Sequence, residues 1–172
     1  LNSDAIPLYN PIEEYLNSTG HWDGKDRIRA LADLVPCNNP YWRELFYRWF
    51  LSMTAHWQNI DRQHGNNTSP LLVGAQGYRK STFCRILLPP ELRFGYTDSI
   101  DFKSKQDAER SLGRFFLINI DEFDQISVNQ QGFLKHLLQK PVANLRKPYG
   151  TAIQEIRRYA SFIATSNQKD LL

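Results

Sequence analysis

Three short stretches of this sequence carry residue types that can handle a phosphorylated ligand. The first is Gly74-Ala75-Gln76-Gly77-Tyr78-Arg79-Lys80-Ser81-Thr82, which follows an apolar run and opens a helical pattern. A tight loop in that setting turns its backbone N–H groups inward around phosphate oxygens, and the start of a helix adds partial positive charge. On this reading the backbone through Gly74, Gln76 and Gly77 cradles the phosphates. Lys80 reaches the β- and γ-phosphates, the Ser81 hydroxyl sits on Mg²⁺, and Thr82 is a further donor. The pattern G-x-x-x-x-G-K-[ST] is met except at its second glycine, where Arg79 stands. Side chains tolerate the geometry of that glycine poorly. Arg79 therefore either brings its guanidinium to the phosphates or weakens the cradle.

The second stretch is Phe115-Phe116-Leu117-Ile118-Asn119-Ile120-Asp121-Glu122. A hydrophobic strand ending in two acids puts carboxylates at the carboxyl edge of a parallel sheet, where open α/β folds bind ligands. Asp121 is expected to hold Mg²⁺, mostly through water, and Glu122 to polarise an attacking water. Asp124 lies past the strand and reads as a surface residue or a helix cap. The third stretch, Phe162-Ile163-Ala164-Thr165-Ser166-Asn167, is another apolar strand ending in polar residues. Asn167 is placed to hydrogen-bond the γ-phosphate or the lytic water.

A fourth stretch points to a different partner. Between Lys140 and Arg158 lie Lys140, Arg146, Lys147, Arg157 and Arg158 against one acid, Glu155. Pro148-Tyr149-Gly150 is a turn signal between Val142-Ala143-Asn144-Leu145 and Thr151-Ala152-Ile153. The pattern predicts a basic hairpin whose Arg146, Lys147 and Tyr149 contact a nucleic-acid backbone. Arg157 or Arg158 has a second expected role, stabilising γ-phosphate charge within its own subunit or across an interface.

The elements that would position these groups follow from periodicity and punctuation. Helices are expected over Pro11 to Leu16, Arg27 to Leu34, Lys80 to Leu87, Lys105 to Leu112 and Asn129 to Leu138. A long amphipathic helix carries Trp42, Leu45, Phe46, Trp49, Phe50, Met53, Trp57 and Ile60 on one stripe, so it packs against a neighbouring body. Strands are expected at Leu71-Leu72-Val73, Phe115 to Ile120 and Tyr159 to Ala164. The polar run Gln63 to Ser69 marks the boundary between a helical segment, residues 1–66, and a core, residues 67–172. Alternating strands and helices imply an α/β fold with a parallel sheet covered on both faces. The spacing from Lys80 to Asp121 nearly matches that from Asp121 to Asn167, so three strands can converge on one nucleotide.

Composition narrows the classes. The chain has 172 residues, 41% hydrophobic and 23% charged, which suits a globular domain. No apolar run reaches the ~18 residues of a membrane span. A formal net charge of +3 permits a nucleic-acid partner without requiring one. Cys37 and Cys84 read as reduced thiols of a cytoplasmic protein, and the four histidines show no metal-ligand spacing. The chain lacks an initiator Met and stops at Leu172, soon after Asn167, so it reads as a fragment of something longer.

Together these pieces resemble the superfamily 3 helicase group of P-loop ATPases. More closely, the chain resembles the virulence-associated E family of phage, plasmids and genomic islands. The resemblance rests on Trp22-Asp23-Gly24-Lys25-Asp26-Arg27-Ile28, the Gly74–Thr82 loop, the strand through Asp121-Glu122, Arg146-Lys147-Pro148-Tyr149-Gly150, and Ile163 to Asn167. It implies an AAA+-like core behind a helical segment, ATP and Mg²⁺ as ligands, DNA as a partner, and assembly into a ring when full length. Such a chain belongs to a helicase or primase-helicase-like replication protein. By motif, Lys80 and Ser81 become the Walker A pair, Asp121 and Glu122 the Walker B pair, and Asn167 the sensor. Tyr149 and its basic neighbours take the place of the DNA-contacting hairpin. Three other readings remain: a degenerate loop that binds nucleotide as a non-hydrolysing switch or scaffold, a small-molecule kinase, and a nucleic-acid-binding module without nucleotide.

Overall fold

A computed structural model of the protein describes residues 9–146 and 153–168. Three helices come first. α1 (Pro11–Ser18) starts where the Asn10 side chain accepts from the backbone N–H groups of Ile12 and Glu13. α2 (Arg27–Ala32) is capped in the same way by Asp26, which accepts from Arg29 N at 3.0 Å. α3 (Trp42–Trp57) carries the aromatic stripe. The stripe was expected to run to Ile60, but the helix ends three residues earlier. Asn59 adopts a left-handed conformation at φ 59°, and its N–H and that of Ile60 close back onto the carbonyls of His56 and Ala55 at 3.1 and 3.0 Å. This end motif satisfies the last carbonyls and stops the helix, leaving Ile60 72% exposed.

The core follows as β1 (Leu71–Val73), α4 (Lys80–Ile86), a 3₁₀ turn over Pro90–Gly95, β2 (Tyr96–Thr97), α5 (Lys105–Arg114) and β3 (Leu117–Ile120). A second 3₁₀ turn spans Phe123–Gln125. Then come α6 (Val128–Gln139), β4 (Val142–Arg146), β5 (Ile153–Arg157) and β6 (Ser161–Ser166). Four strands form one parallel sheet in the order β1-β6-β3-β2. β4 and β5 pair antiparallel as a separate hairpin, Val142 opposite Arg157 and Arg146 opposite Ile153.

The two central strands are buried on both faces, which explains their continuous apolar runs. Leu117 and Ile163 point into one core with Ile12, Phe46, Trp49, Met53 and Trp57 of α1 and α3. Ile118, Ile120, Phe162 and Ala164 point into the other, with Ala108 and Leu112 of α5 and Leu134 and Leu137 of α6. The N-terminal helices thus cover one face of the sheet, and α5 and α6 the other. The protein is a mixed α/β fold with a four-stranded parallel sheet and helices. Among the described residues no helix is long and apolar enough to cross a membrane.

Two strands are displaced from the sequence expectation. The run expected from Phe115 enters the sheet at Leu117, because the Phe115 N–H still closes the end of α5 on the Ser111 carbonyl. The last strand starts at Ser161 rather than Tyr159. The N–H groups of Tyr159 and Ala160 both donate to the Leu112 carbonyl, at 2.8 and 3.0 Å, and are turned away from the sheet. That shift carries Thr165 and Ser166 into the strand. An extra short strand between Lys80 and Asp121 fits the spacing, but no pattern marks its place at Tyr96–Thr97, since two residues are too short to show one.

Candidate functional site

The carboxyl ends of β1, β3 and β6 open onto one cleft of about 320 Å³. The loop after β1 supplies Gln76, Gly77 and Arg79, the start of α4 supplies Lys80, Ser81 and Thr82, and the end of β3 supplies Asp121 and Glu122. β6 and the residue after it supply Thr165, Ser166 and Asn167. The three stretches singled out in the sequence therefore meet. Parallel pairing of β6 with both β1 and β3 makes the convergence. The loop is tied to β6 by the Gly74 N–H, which donates to the Ser166 carbonyl at 3.2 Å.

Within the cleft the Lys80 ammonium donates to the Gly74 and Ala75 carbonyls, at 2.7 and 3.0 Å, and to Asn167 Oδ1 at 2.9 Å. Two loop carbonyls and the Asn167 side chain thus hold the amine at the opening. Gly77 sits at φ +90° and Arg79 at φ 57°, so the loop holds left-handed turns at both places. Arg79 keeps the backbone shape a glycine would take, at a conformational cost on the order of 1–2 kcal/mol. Glu122 is also left-handed, at φ 50°. Of the three described non-glycine residues with positive φ, two therefore border this cleft. Such strain persists where the surroundings over-determine it, as functional sites do.

The acids are held by hydroxyls. Ser81 Oγ donates to Asp121 Oδ1 at 3.1 Å, and the Thr165 hydroxyl donates to the same oxygen. Ser166 Oγ donates to Asp124 Oδ1 at 2.7 Å, which, with Gln125 assisting, holds the Asp124 carboxyl below its ordinary range. Asp124 is only half-buried, and beyond the surface or cap role expected for it the Ser166 contact makes it an anchor for the end of β6. Thr165, Ser166 and Asp124 were missed in the sequence. The usable signal was the Thr-Ser pair at the end of an apolar strand, with acids at the end of another.

The donor set suits Mg²⁺. Ser81 and Asp121 already share a hydrogen bond where a cation would sit, all the atoms offered are oxygens, and only one carboxylate is central. Mg²⁺ takes few protein ligands and keeps waters and phosphate oxygens. Among the described residues no group of three or more His, Cys, Asp or Glu forms an all-protein cage.

Arg157 and Arg158 are not brought to this chain's own cleft, so neither serves the γ-phosphate within its own subunit as expected for one of them. Arg157 Nη2 donates to the carbonyls of His56 and Trp57 at the end of α3, and its guanidinium lies 4.5 Å from the Tyr159 ring centroid. Arg158 is only 2% exposed. It donates to the carbonyls of Ala160, Leu137, Leu138 and Lys140. Both arginines close helix ends whose last carbonyls lack intrahelical partners. Burial lowers the Arg158 pKa to about 10, still far above neutral pH. Arg146 ends β4, while Lys147 and Tyr149, the expected hairpin tip, lie outside the described residues.

Comparison with known proteins bears on the whole chain. A family model described as the virulence-associated protein E-like domain matches residues 16–172. No curated protein matches. Among solved structures, the apo C-terminal region of NrS-1 matches with 15% identity and a TM-score of 0.48, over 72% of this chain and 29% of that one. A second structure of that region matches with 16% identity and a TM-score of 0.48, over 83% of this chain and 33% of that one. The chain thus spans about a third of the solved chains it matches.

Proposed function

We propose, from the premise that this chain belongs to the virulence-associated protein E-like domain family, that it binds and hydrolyses ATP as the motor module of a helicase-like DNA replication protein. One observation carries the reading. Lys80, the Ser81–Asp121 pair, Glu122 and Asn167 surround a single cleft at the carboxyl edge of a parallel sheet. This convergence of the glycine-rich loop, the acids and the asparagine on three adjacent strands supports a P-loop NTPase reading.

The residues divide the work. Lys80 exchanges its loop carbonyls and Asn167 for β- and γ-phosphate oxygens, while the loop N–H groups around Gly77 take the rest. Ser81 and Asp121 would hold Mg²⁺, which would neutralise charge on the phosphates. Glu122 orients water and accepts its proton. Asn167, released from Lys80, hydrogen-bonds the γ-phosphate and distinguishes triphosphate from diphosphate. DNA is gripped by the β4–β5 hairpin through Arg146, Lys147 and Tyr149. In a ring, a partner subunit supplies the arginine that Arg157 and Arg158 do not.

A second reading has its own support. Arg157 and Arg158 are committed to helix ends, so the chain binding alone would act as a non-hydrolysing switch. Calorimetric titration with Mg²⁺ and a non-hydrolysable ATP analogue tests binding, with Lys80→Ala as the control. Saturable binding lost in Lys80→Ala supports a working site, and no binding by the unaltered chain overturns it. DNA-stimulated hydrolysis then separates motor from switch.

A further inference from the structure

Beside the phosphate cleft lies a second cavity of about 380 Å³, and Lys80 borders both. Its walls are β1, the segment Leu34 to Cys37 after α2, and the rings of Trp42, Tyr78 and Phe83. The two spaces have opposite chemistry. The first is lined by hydroxyls, acids and cations. The second has no Asp, Glu, Asn, Gln, Ser or Thr among its lining residues. The Trp42 indole N–H is already engaged, donating to the Ala32 carbonyl at 2.9 Å. The other polar side-chain ends of the lining residues are the Lys80 ammonium, held by Gly74, Ala75 and Asn167, the Tyr78 hydroxyl and the Cys37 thiol.

We infer that this cavity takes the nucleobase of the nucleotide whose phosphates lie on Lys80, and holds it by stacking and apolar contact rather than by reading its edge. The inference rests on the proposed nucleotide site. A ligand with a charged end and a flat aromatic end fits two adjoining spaces, one polar and one apolar, joined at a lysine. The cavity volume lies within the ~300–1,000 Å³ range of small-molecule sites. Tyr78 stands in the phosphate loop itself and is 73% exposed, so a bound base would cover its ring. A site that hydrogen-bonds a substrate group rejects analogues lacking it by about 10⁴-fold or more. This lining has no side-chain amide or acid to do that. Stacking serves every base, at about 5- to 100-fold in affinity for each. The site therefore accepts adenine and guanine nucleotides with similar affinity.

The chain carries its own reporter. Cys37 is exposed and lines the cavity, whereas Cys84 is buried. Burial pushes the Cys84 thiol up to about 12, so it is inert to alkylation near neutral pH.

The test follows iodoacetamide modification of Cys37 by mass spectrometry, with Mg²⁺ and either a non-hydrolysable ATP analogue, the matching GTP analogue, or tripolyphosphate. Binding of each is measured in parallel by calorimetry. The expected result is that both nucleotides slow modification of Cys37, with affinities within about 10-fold of each other because stacking is base-tolerant. Tripolyphosphate binds in a Lys80-dependent way and leaves Cys37 reactive. Tyr78→Ala weakens both nucleotides about 5-fold or more and leaves tripolyphosphate unchanged. If nucleotides bind through Lys80 but do not shield Cys37, or tripolyphosphate shields it equally, the base lies elsewhere and the inference is overturned while the phosphate site stands. A preference for one base beyond about 10³-fold overturns the stacking argument. If no probe binds, the nucleotide site itself fails and the inference falls with it.

Discussion

Lys80 and Asn167 are 87 residues apart in the chain, yet Nζ and Oδ1 meet at 2.9 Å. The contact joins the start of α4 to the end of β6 across the cleft. Asn167→Ala removes it and leaves the amine on its loop carbonyls. Under the proposed function, binding of an ATP analogue changes little, whereas DNA-stimulated hydrolysis falls about 10²-fold, as when one transition-state donor is lost. Parallel calorimetry and phosphate-release assays check the split. An equal loss in both would make Asn167 a binding residue rather than a sensor.

Arg79 holds a left-handed turn at φ 57°. Glycine adopts that conformation without a Cβ penalty but loses more entropy on folding. The balance makes Arg79→Gly stabilising by about 1 kcal/mol, a rise of roughly 2–4 °C in melting temperature for a chain this size. Thermal unfolding of the two proteins without ligand gives the answer. An unchanged or lower melting temperature would mean that the Arg79 side chain offsets its own strain.

Two glycines should respond oppositely to a methyl group. A Cβ on Gly65 would run into the Leu138 carbonyl oxygen and come within 2.8 Å of the Gln139 carbonyl carbon, both backbone atoms at the end of α6. Gly132 lies inside α6 with open space where its Cβ would go. Gly65→Ala is expected to cost about 1–3 kcal/mol, and Gly132→Ala to gain about 0.5–1 kcal/mol. Urea unfolding curves measure both.

His56 is 2% exposed near the end of α3. Burial, with Arg158 and Arg157 adding and Asp61 opposing, lowers its pKa from an ordinary 6.5 to about 4. The unfolded chain therefore binds a proton that the folded chain refuses between those values. Stability contributed by the neutral ring is complete above about pH 6.5 and declines as pH falls toward 4, by up to about 3 kcal/mol. Urea unfolding at pH 7, 5.5 and 4.5 should show the decline, and His56→Phe should flatten it in that window.

Much of the site was legible because it depends on local chemistry. A Gly-rich loop between strand and helix, two acids at the end of an apolar run, and an asparagine after another are each visible in a few residues. The anchoring role of Asp124 was missed because its partner, Ser166, is set by where β6 enters the sheet. That entry depends on Tyr159 and Ala160 turning toward Leu112, which periodicity does not show. Arg157 and Arg158 read as part of a basic hairpin stretch, one of them as a stabiliser of γ-phosphate charge. In the fold they meet the carbonyl-rich ends of α3 and α6, and a buried arginine has the same letter as an exposed one. The apolar cavity was hidden for a similar reason. Trp42 counted only as part of a helical stripe, while its wall opposite β1 comes from the loop after α2.

The order of strands gives the cleft two unlike sides. β3 and β6 are flanked by partners on both sides and sealed between two cores, so Asp121, Glu122 and Asn167 stand on an anvil. β1 is a three-residue strand in the first position of the sheet, paired with β6 alone among the described strands. Lys80 rides on the short helix after it. Under the proposed function, phosphates entering this site therefore meet acids seated between two cores and a lysine carried next to the first strand of the sheet.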